Sequence, residues 1–213
     1  MHLQYALTGP PTAENLVVPR LALSRAAYDM MLCYARAAGT TEVSGFAYIR
    51  LEDGVFVVTT ADDVFITRQR VTPHTADVHE NTFAQAVYQA AKQGRSDDLR
   101  LQWHVHPDKV YHSATDMASI MAFKHAGMQW FISVVLNREG RICARYDIFR
   151  PVHIGAEMEI TLYDTPDPVS VARARADIDA LVTVVPPPRR RRTRRLGRLA
   201  VTQTGTLGKE GRK

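Results

Sequence analysis

Apolar residues along the chain switch repeatedly between helical and strand periods. From 24 to 38, Ala27, Met30, Met31, Tyr34 and Ala38 recur at helical spacing, with Ser24 placed to cap the start and Gly39 to stop the end. Val43–Leu51 then reads as a buried strand, Asp53-Gly54 as a hairpin turn into Val55–Thr59, and Val64–Val71 as a further strand ended by Pro73. A second helix is predicted from about Asp77 to Lys92, with Val78, Phe83, Val87 and Ala91 on one face and Gly94 at its end. In Leu101–His106 apolar and polar residues alternate, the pattern of a half-buried strand. Ser113 opens a helix that runs to about His125 and closes at Gly127. Gln129–Leu136 and Arg141–Phe149 are strand patterns around a turn at Asn137–Gly140, Met158–Tyr163 adds a strand, and Val169–Val182 a helix. The expected class is α/β or α+β: a single domain with a mixed central sheet flanked by helices.

Prolines and charge mark the ends of that domain. Residues 1–20, with Gly9-Pro10-Pro11, read as an irregular lead-in that holds at most one short strand; 21–185 form the domain. Pro186-Pro187-Pro188 ends regular structure, because proline lacks the amide donor. The tail, 186–213, is rich in Arg, Gly and Thr and is expected to be disordered. It changes the meaning of the net charge of +5: from Arg189 onward there are ten Lys/Arg and one acid, leaving 17 basic and 21 acidic residues before it. The body is therefore mildly acidic and the basicity belongs to the tail. Its run of seven arginines between 189 and 198 suits an acidic partner or nucleic acid held by charge, although no aromatic residue interleaves to stack on bases. The plainer reading is a solvated tail.

Two cysteines, Cys33 and Cys143, make no disulfide framework and no Cys-x-x-Cys metal pair, which points to a reducing, cytoplasmic setting. No apolar run approaches the roughly 20 residues that span a bilayer, and the N-terminus has no secretory pattern. Membrane association is not expected.

Candidate chemistry centres on His104-Val105-His106-Pro107. In a strand, residues i and i+2 share a face, so the two imidazoles project together while Trp103 and Val105 face the core. Two histidines on a rigid strand suit a metal ion, although two ordinary half-exposed histidines give the same pattern. Ser113-Ala114-Thr115-Asp116 follows, with Asp116 at a helix start. Together His104, His106 and Asp116 form a His₂Asp set with an open fourth position, the arrangement of a catalytic zinc. Ser113 and Asp116 also match a helix capping box, which needs no metal.

This His-x-His-Pro run, followed by Ser-x-x-Asp and preceded by Glu42 at the head of Val43-Ser44-Gly45-Phe46, resembles the JAMM motif of the MPN/JAB-domain metalloproteases. The similarity extends over about residues 22–150, and Leu101–Ile120 is similar in particular to bacterial JAB-domain proteins, some associated with ubiquitin-like conjugation systems. The resemblance implies one Zn²⁺ per chain on His104, His106 and Asp116, with Glu42 as general base for the zinc-activated water. It implies that Ser113 donates a hydrogen bond to the tetrahedral oxyanion, and that the substrate is a ubiquitin-like protein or its conjugate, cut at an isopeptide or peptide bond after its C-terminus. Nine residues separate His106 from Asp116, one fewer than the commonest family spacing; the deletion falls in the loop Asp108–His112.

Two other readings compete. A non-catalytic MPN-type scaffold is one, although such relatives generally lack part of the ligand and base set. A metallo-β-lactamase-like site using Asp108 is the other, but Lys109 occupies the position of its final histidine. Of the remaining candidates, His112 reads as a solvent-facing loop histidine and Cys143 as a small core residue of an alternating strand, while His74, His79, His125 and His153 have no second ligand at useful spacing. Gly45 is expected to allow close backbone packing near the site.

Overall fold

The computed structural model describes residues 18–165 and 169–186. They form a mixed α+β domain of three sheets and four α-helices. Most of the lead-in, and the tail from 187 onward, lie outside the described residues.

Strand β1 (Arg20–Ser24) enters helix α1 (Arg25–Ala37), which begins where the Ser24 side chain accepts the Ala27 amide, as its position predicts. Eight of the thirteen residues of α1 are buried, and the chain leaves it through Gly39 at φ +66°, a conformation glycine adopts without steric cost. Next come β2 (Ser44–Ala47), β3 (Arg50–Glu52) and β4 (Val55–Val58), with the Asp53-Gly54 turn between the last two. The expected single strand Val43–Leu51 is thus two strands in two different sheets. The chain turns at Tyr48 and Ile49, whose amides donate to the Asp63 and Asp98 carbonyls instead of to a ladder.

The Val64–Val71 pattern also divides, into β5 (Val64–Ile66) beside β2 and β6 (Gln69–Thr72) in a separate sheet. Gln69 explains how the break is tolerated. Its buried side-chain amide accepts from Ser44 N at 2.9 Å and donates to Ser44 O at 2.7 Å, standing in for a strand backbone. A third departure follows directly. Thr75–Val78 is strand β7, folded back on β6, and helix α2 is confined to Glu80–Lys92. Phe83 and Ala90 face the Phe46 cluster, whereas Val87 points to solvent. The α2 face expected from Val78, Phe83, Val87 and Ala91 is therefore rotated.

Strand β8 (Leu101–Val105), helix α3 (Ala114–His125) and the hairpin of β9 (Trp130–Leu136) and β10 (Ile142–Ile148) follow the sequence pattern closely. The expected strand Met158–Tyr163 instead breaks at Glu159, giving β11 (Ile154–Met158) and β12 (Ile160–Tyr163) in different sheets. Helix α4 (Val171–Leu181) and β13 (Val182–Val184) complete the described chain.

The main sheet has the order β11-β10-β9-β8-β2-β5, antiparallel except for the β8–β9 pair. The second runs β12-β1-β4-β3 and the third β13-β6-β7. Helix α1 covers one face of the main sheet, where Trp103 stacks on Tyr34 with ring centroids 5.6 Å apart. On the opposite face, Phe123 of α3 stacks on Phe131 at 3.9 Å and Phe83 of α2 lies 4.7 Å from Phe46. No helix among the described residues is long and apolar enough to cross a membrane.

Gly45 lies where these layers are tightest. A Cβ there would collide with both the Trp103 ring and the Phe65 carbonyl oxygen, neither of which is the loose end of a flexible side chain. Gly45→Ala should therefore destabilise the protein by roughly 1–3 kcal/mol through overpacking. Urea unfolding measures this as a lower transition midpoint, and an unchanged midpoint would contradict the close approach.

Candidate metal centre

Strand β8 sets the geometry of the site. Leu101, Trp103 and Val105 are fully buried towards α1, so the alternation turns Gln102 and His104 to the other face, with His106 just beyond the strand end. His104 and His106 are each only 8% exposed, and their Nε2 atoms lie 3.2 Å apart. Asp116 reaches them from the first turn of α3, with Oδ1 3.2 Å from His104 Nε2 and Oδ2 3.4 Å from His106 Nε2. The three side chains form the one His/Cys/Asp/Glu cluster of metal-binding size among the described residues, with ligand atoms within 4.8 Å of one another.

The capping box is present as well. The Ser113 amide donates to Asp116 Oδ2 at 2.6 Å, and the Asp116 amide donates to Ser113 Oγ at 3.2 Å. The capping and ligand readings of Asp116 are therefore compatible. The cap fixes the carboxylate at the helix N-terminus, where negative charge is favoured, and from there it faces both imidazoles.

Glu42 joins from the segment between α1 and β2. Its amide donates to Thr72 O of β6 at 2.9 Å, and the next residue's carbonyl, Val43 O, accepts from Val105 N at 2.9 Å. These two bonds place Glu42 alongside the end of β8. Glu42, Ser44, Gln102, His104, His106, Ser113 and Asp116 line a common cleft of about 100 Å³. His74, Thr75 and Ala76, at the β6–β7 turn, form another part of its wall.

The loop from Pro107 to His112 is pinned near both ends. Asn137 Nδ2 and Arg141 donate to the Asp108 carbonyl, each at 3.2 Å. His112 Nε2 lies 3.2 Å from Ser133 O, its Nδ1 lies 3.9 Å from Cys143 Sγ, and its ring meets His104 edge-on at 6.5 Å. His112 is thus half-buried against the sheet and does not face solvent as its loop position suggested. Cys143 is half-buried beside it. Asp108 is not part of the metal-sized cluster. Tyr111 packs on His106 at 5.5 Å yet remains 53% exposed, forming an aromatic rim.

Sequence reasoning named every member of the His/Asp cluster and Glu42, but missed much of the cleft wall. Gln102 was legible as the same-face neighbour of His104 two residues away. His74, Thr75 and Ala76 were not, because their contribution depends on a hairpin hidden beside a helical pattern.

Electrostatics divide the site into unlike groups. Burial raises Glu42 from 4.5 to about 7, with Asp116 adding to the rise and His106 opposing it. Burial also disfavours the charged form of Asp116, but hydrogen bonds with His104 and His106 outweigh it and hold this carboxyl well below the usual range. The bond to Asp116 raises His106 against its burial, while burial, with nearby His104, lowers His112. One carboxylate is thereby kept ionised and the other kept ready to take a proton near neutrality.

A pH dependence of stability follows for the metal-free protein. Between 4.5 and about 7 the folded state holds a proton on Glu42 that the unfolded state has released, so this group's contribution falls as pH rises. His106 acts in the same direction only above 6.5, and His112 in the opposite direction below it. The difference between wild type and Glu42→Gln isolates the first effect. Denaturant midpoints measured across this range should fall with pH more steeply in wild type than in the variant; parallel profiles would contradict a raised Glu42.

Comparison with known proteins yields a fold likeness. The solution structure of protein DSY2949 from Desulfitobacterium hafniense, a structural-genomics target, is similar with a TM-score of 0.50 and 18% sequence identity, over 68% of this chain and 94% of that one. At that identity the likeness concerns the fold alone. No family model matches the chain. No curated protein matches it either.

Proposed function

We propose that the protein is a zinc-dependent hydrolase of the JAMM/MPN type, cleaving the isopeptide or peptide bond that follows the C-terminus of a ubiquitin-like protein. The observation that carries this reading is the convergence of Glu42, raised to about 7, on three ligand atoms contributed by a strand and a helix start. The donor set fits the ion. Zinc held at about 2.0–2.2 Å by nitrogen and oxygen in a tetrahedron separates its ligand atoms by roughly 3.3 Å. The His–His and His–Asp separations here are 3.2, 3.2 and 3.4 Å, the last two through different oxygens of Asp116.

His104, His106 and Asp116 would hold the ion. When bound, it supplies Lewis acidity, lowering the pKa of water and polarising a carbonyl. Glu42 accepts a proton from the attacking water as the new C–O bond forms, and delivers it to the departing amine nitrogen as the C–N bond breaks. A carboxyl near neutrality suits both transfers. Ser113 Oγ accepts the Asp116 amide in the cap, which leaves its hydroxyl proton for the oxygen of the tetrahedral intermediate. The edge strand β7, whose residues Thr75 and Ala76 line the cleft, offers backbone groups with which an extended substrate tail can pair.

Pure wild-type protein should contain about one zinc per chain, and His104→Ala or Asp116→Asn should lose it. Glu42→Ala should keep the metal yet cleave ubiquitin-like fusions roughly 10²–10⁴-fold more slowly. Elemental analysis and a gel-based cleavage assay read the two effects separately. Zinc-dependent cleavage by Glu42→Ala at the wild-type rate would remove Glu42 as the base. Wild-type protein without zinc would favour the scaffold reading.

A further inference from the structure

Next to the metal cluster, the floor of the cleft is a polar strip for which neither metal binding nor proton transfer has a use. Strand pairing builds it: Ser44 lies beside His104 across β2 and β8, and Ser133 lies beside Gln102 across β8 and β9. Gln102 and His104 share one face of β8, with Cα atoms about 6.6 Å apart. Ser44, Gln102 and Ser133 all line the cleft.

Two hydrogen bonds decide which way the Gln102 amide points. Ser44 Oγ donates to Trp103 O at 3.3 Å, so its oxygen is left to accept, and Gln102 Nε2 donates to it at 3.0 Å. Ser44 cannot shift to change this arrangement, because Gln69 bonds both its amide and its carbonyl. Gln102 Oε1 is thereby turned away from Ser44, and it has no hydrogen-bond partner among the described residues. Ser133 is only 2% exposed, and its hydroxyl also has no partner among the described residues. Arg145, its neighbour on the other side, is committed to Asp147 at 2.9 and 3.2 Å, and His112 engages only the Ser133 carbonyl. Buried polar groups are normally bonded. A buried hydroxyl lining a cleft beside an unused carboxamide oxygen is therefore a donor and acceptor pair placed to bind a ligand.

We propose that Gln102 and Ser133 form an amide-binding subsite, which holds a carboxamide or peptide amide of the substrate within about two residues of the bond that is cut. This rests on the hydrolase reading for what the cleft acts on. The donor and acceptor pattern selects the ligand. An amide N–H donates to Gln102 Oε1 while its carbonyl accepts from Ser133 Oγ. A carboxylate has no proton for Gln102, and Glu42 and Asp116 in the same cleft disfavour it. An ammonium has no lone pair for the Ser133 proton and would meet only neutral groups in the subsite. An apolar side chain would leave both protein groups unpaired. The reach follows from the strand, since an extended substrate advances about 3.3 Å per residue and so covers the distance from His104 to Gln102 in two residues.

The test uses the isotope-labelled full chain and the peptides acetyl-Gly-Gly-Xaa-Gly-Gly N-methylamide, with Asn, Leu or Lys in the middle, followed by NMR titration. The Asn peptide should shift the Gln102 side-chain amide and the Ser133 backbone amide. It should bind at least about fivefold more tightly than the Leu peptide, the worth of one hydrogen bond. Gln102→Leu and Ser133→Ala should each remove that advantage; the second deletes a single atom, so it keeps the test sound if the first unsettles Ser44. Three peptides bound equally, shifting the same resonances and all weakened in both variants, would assign the subsite to the backbone amide rather than to a side chain. Absence of shifts at Gln102 and Ser133, or unchanged affinities in both variants, would overturn the inference. So would a preference for the Lys peptide that depends on Gln102. Neither zinc content nor turnover enters these readouts, so a chain that holds no zinc and cleaves nothing would sink the hydrolase reading alone.

Discussion

Strand β8 must satisfy two environments at once, and the rest of the molecule is arranged around that demand. Its Trp103 face is sealed against Tyr34 of α1 with no solvent exposure, which fixes the strand's rotation about its own axis. Once that face is committed to the core, Gln102 and His104 have no choice but to project into the cleft. A slip of one residue would put both histidines in the apolar layer and Trp103 at the surface. Gly45 belongs to the same constraint, since only the absence of a side chain lets β2 lie so close over the Trp103 ring. The imidazoles are thus positioned by packing rather than by a flexible loop, the condition under which a site holds its geometry.

The remaining groups are brought to β8 by hydrogen bonds that serve structure and chemistry together. Asp116 completes a helix cap and at the same time faces both imidazoles. Glu42 is held by its own amide to Thr72, and the neighbouring Ser44 backbone is held by the Gln69 side chain. The small sheet β13-β6-β7 therefore does two things: it anchors the Glu42 segment and it walls the cleft. Collecting two carboxylates and two imidazoles in a half-buried cleft is electrostatically costly unless their charges are balanced. The division of labour between an ionised Asp116 and a near-neutral Glu42 is one resolution, and the proposed zinc is another.

The loop between His106 and Ser113 joins the end of β8 to the start of α3, the two elements that hold the cluster. Bonds to the Asp108 carbonyl and contacts at His112 hold it at either end, with Lys109, Val110 and Tyr111 between them. Between those ends the loop forms a rim to the cluster, where Tyr111 is exposed beside His106.

Local chemistry was legible in the sequence because its causes are local. Period-2 alternation placed His104 and His106 on one face, Ser24 and Ser113 marked helix starts through short-range capping bonds, and Asp53-Gly54 and Asn137–Gly140 marked turns. The strand patterns at 43–51, 64–71 and 158–163 are each continuous in the sequence, yet each is divided between two sheets. An apolar run shows that a segment is buried; it does not show which neighbour receives its hydrogen bonds. Those partners, Asp63 and Asp98 for the Tyr48–Ile49 break and Ser44 for Gln69, are distant in sequence. The His104/His106/Asp116 cluster was thus written in the chain itself, whereas the placement of Glu42 beside it and the wall of the cleft were decided only when long-range backbone pairing assembled the sheets.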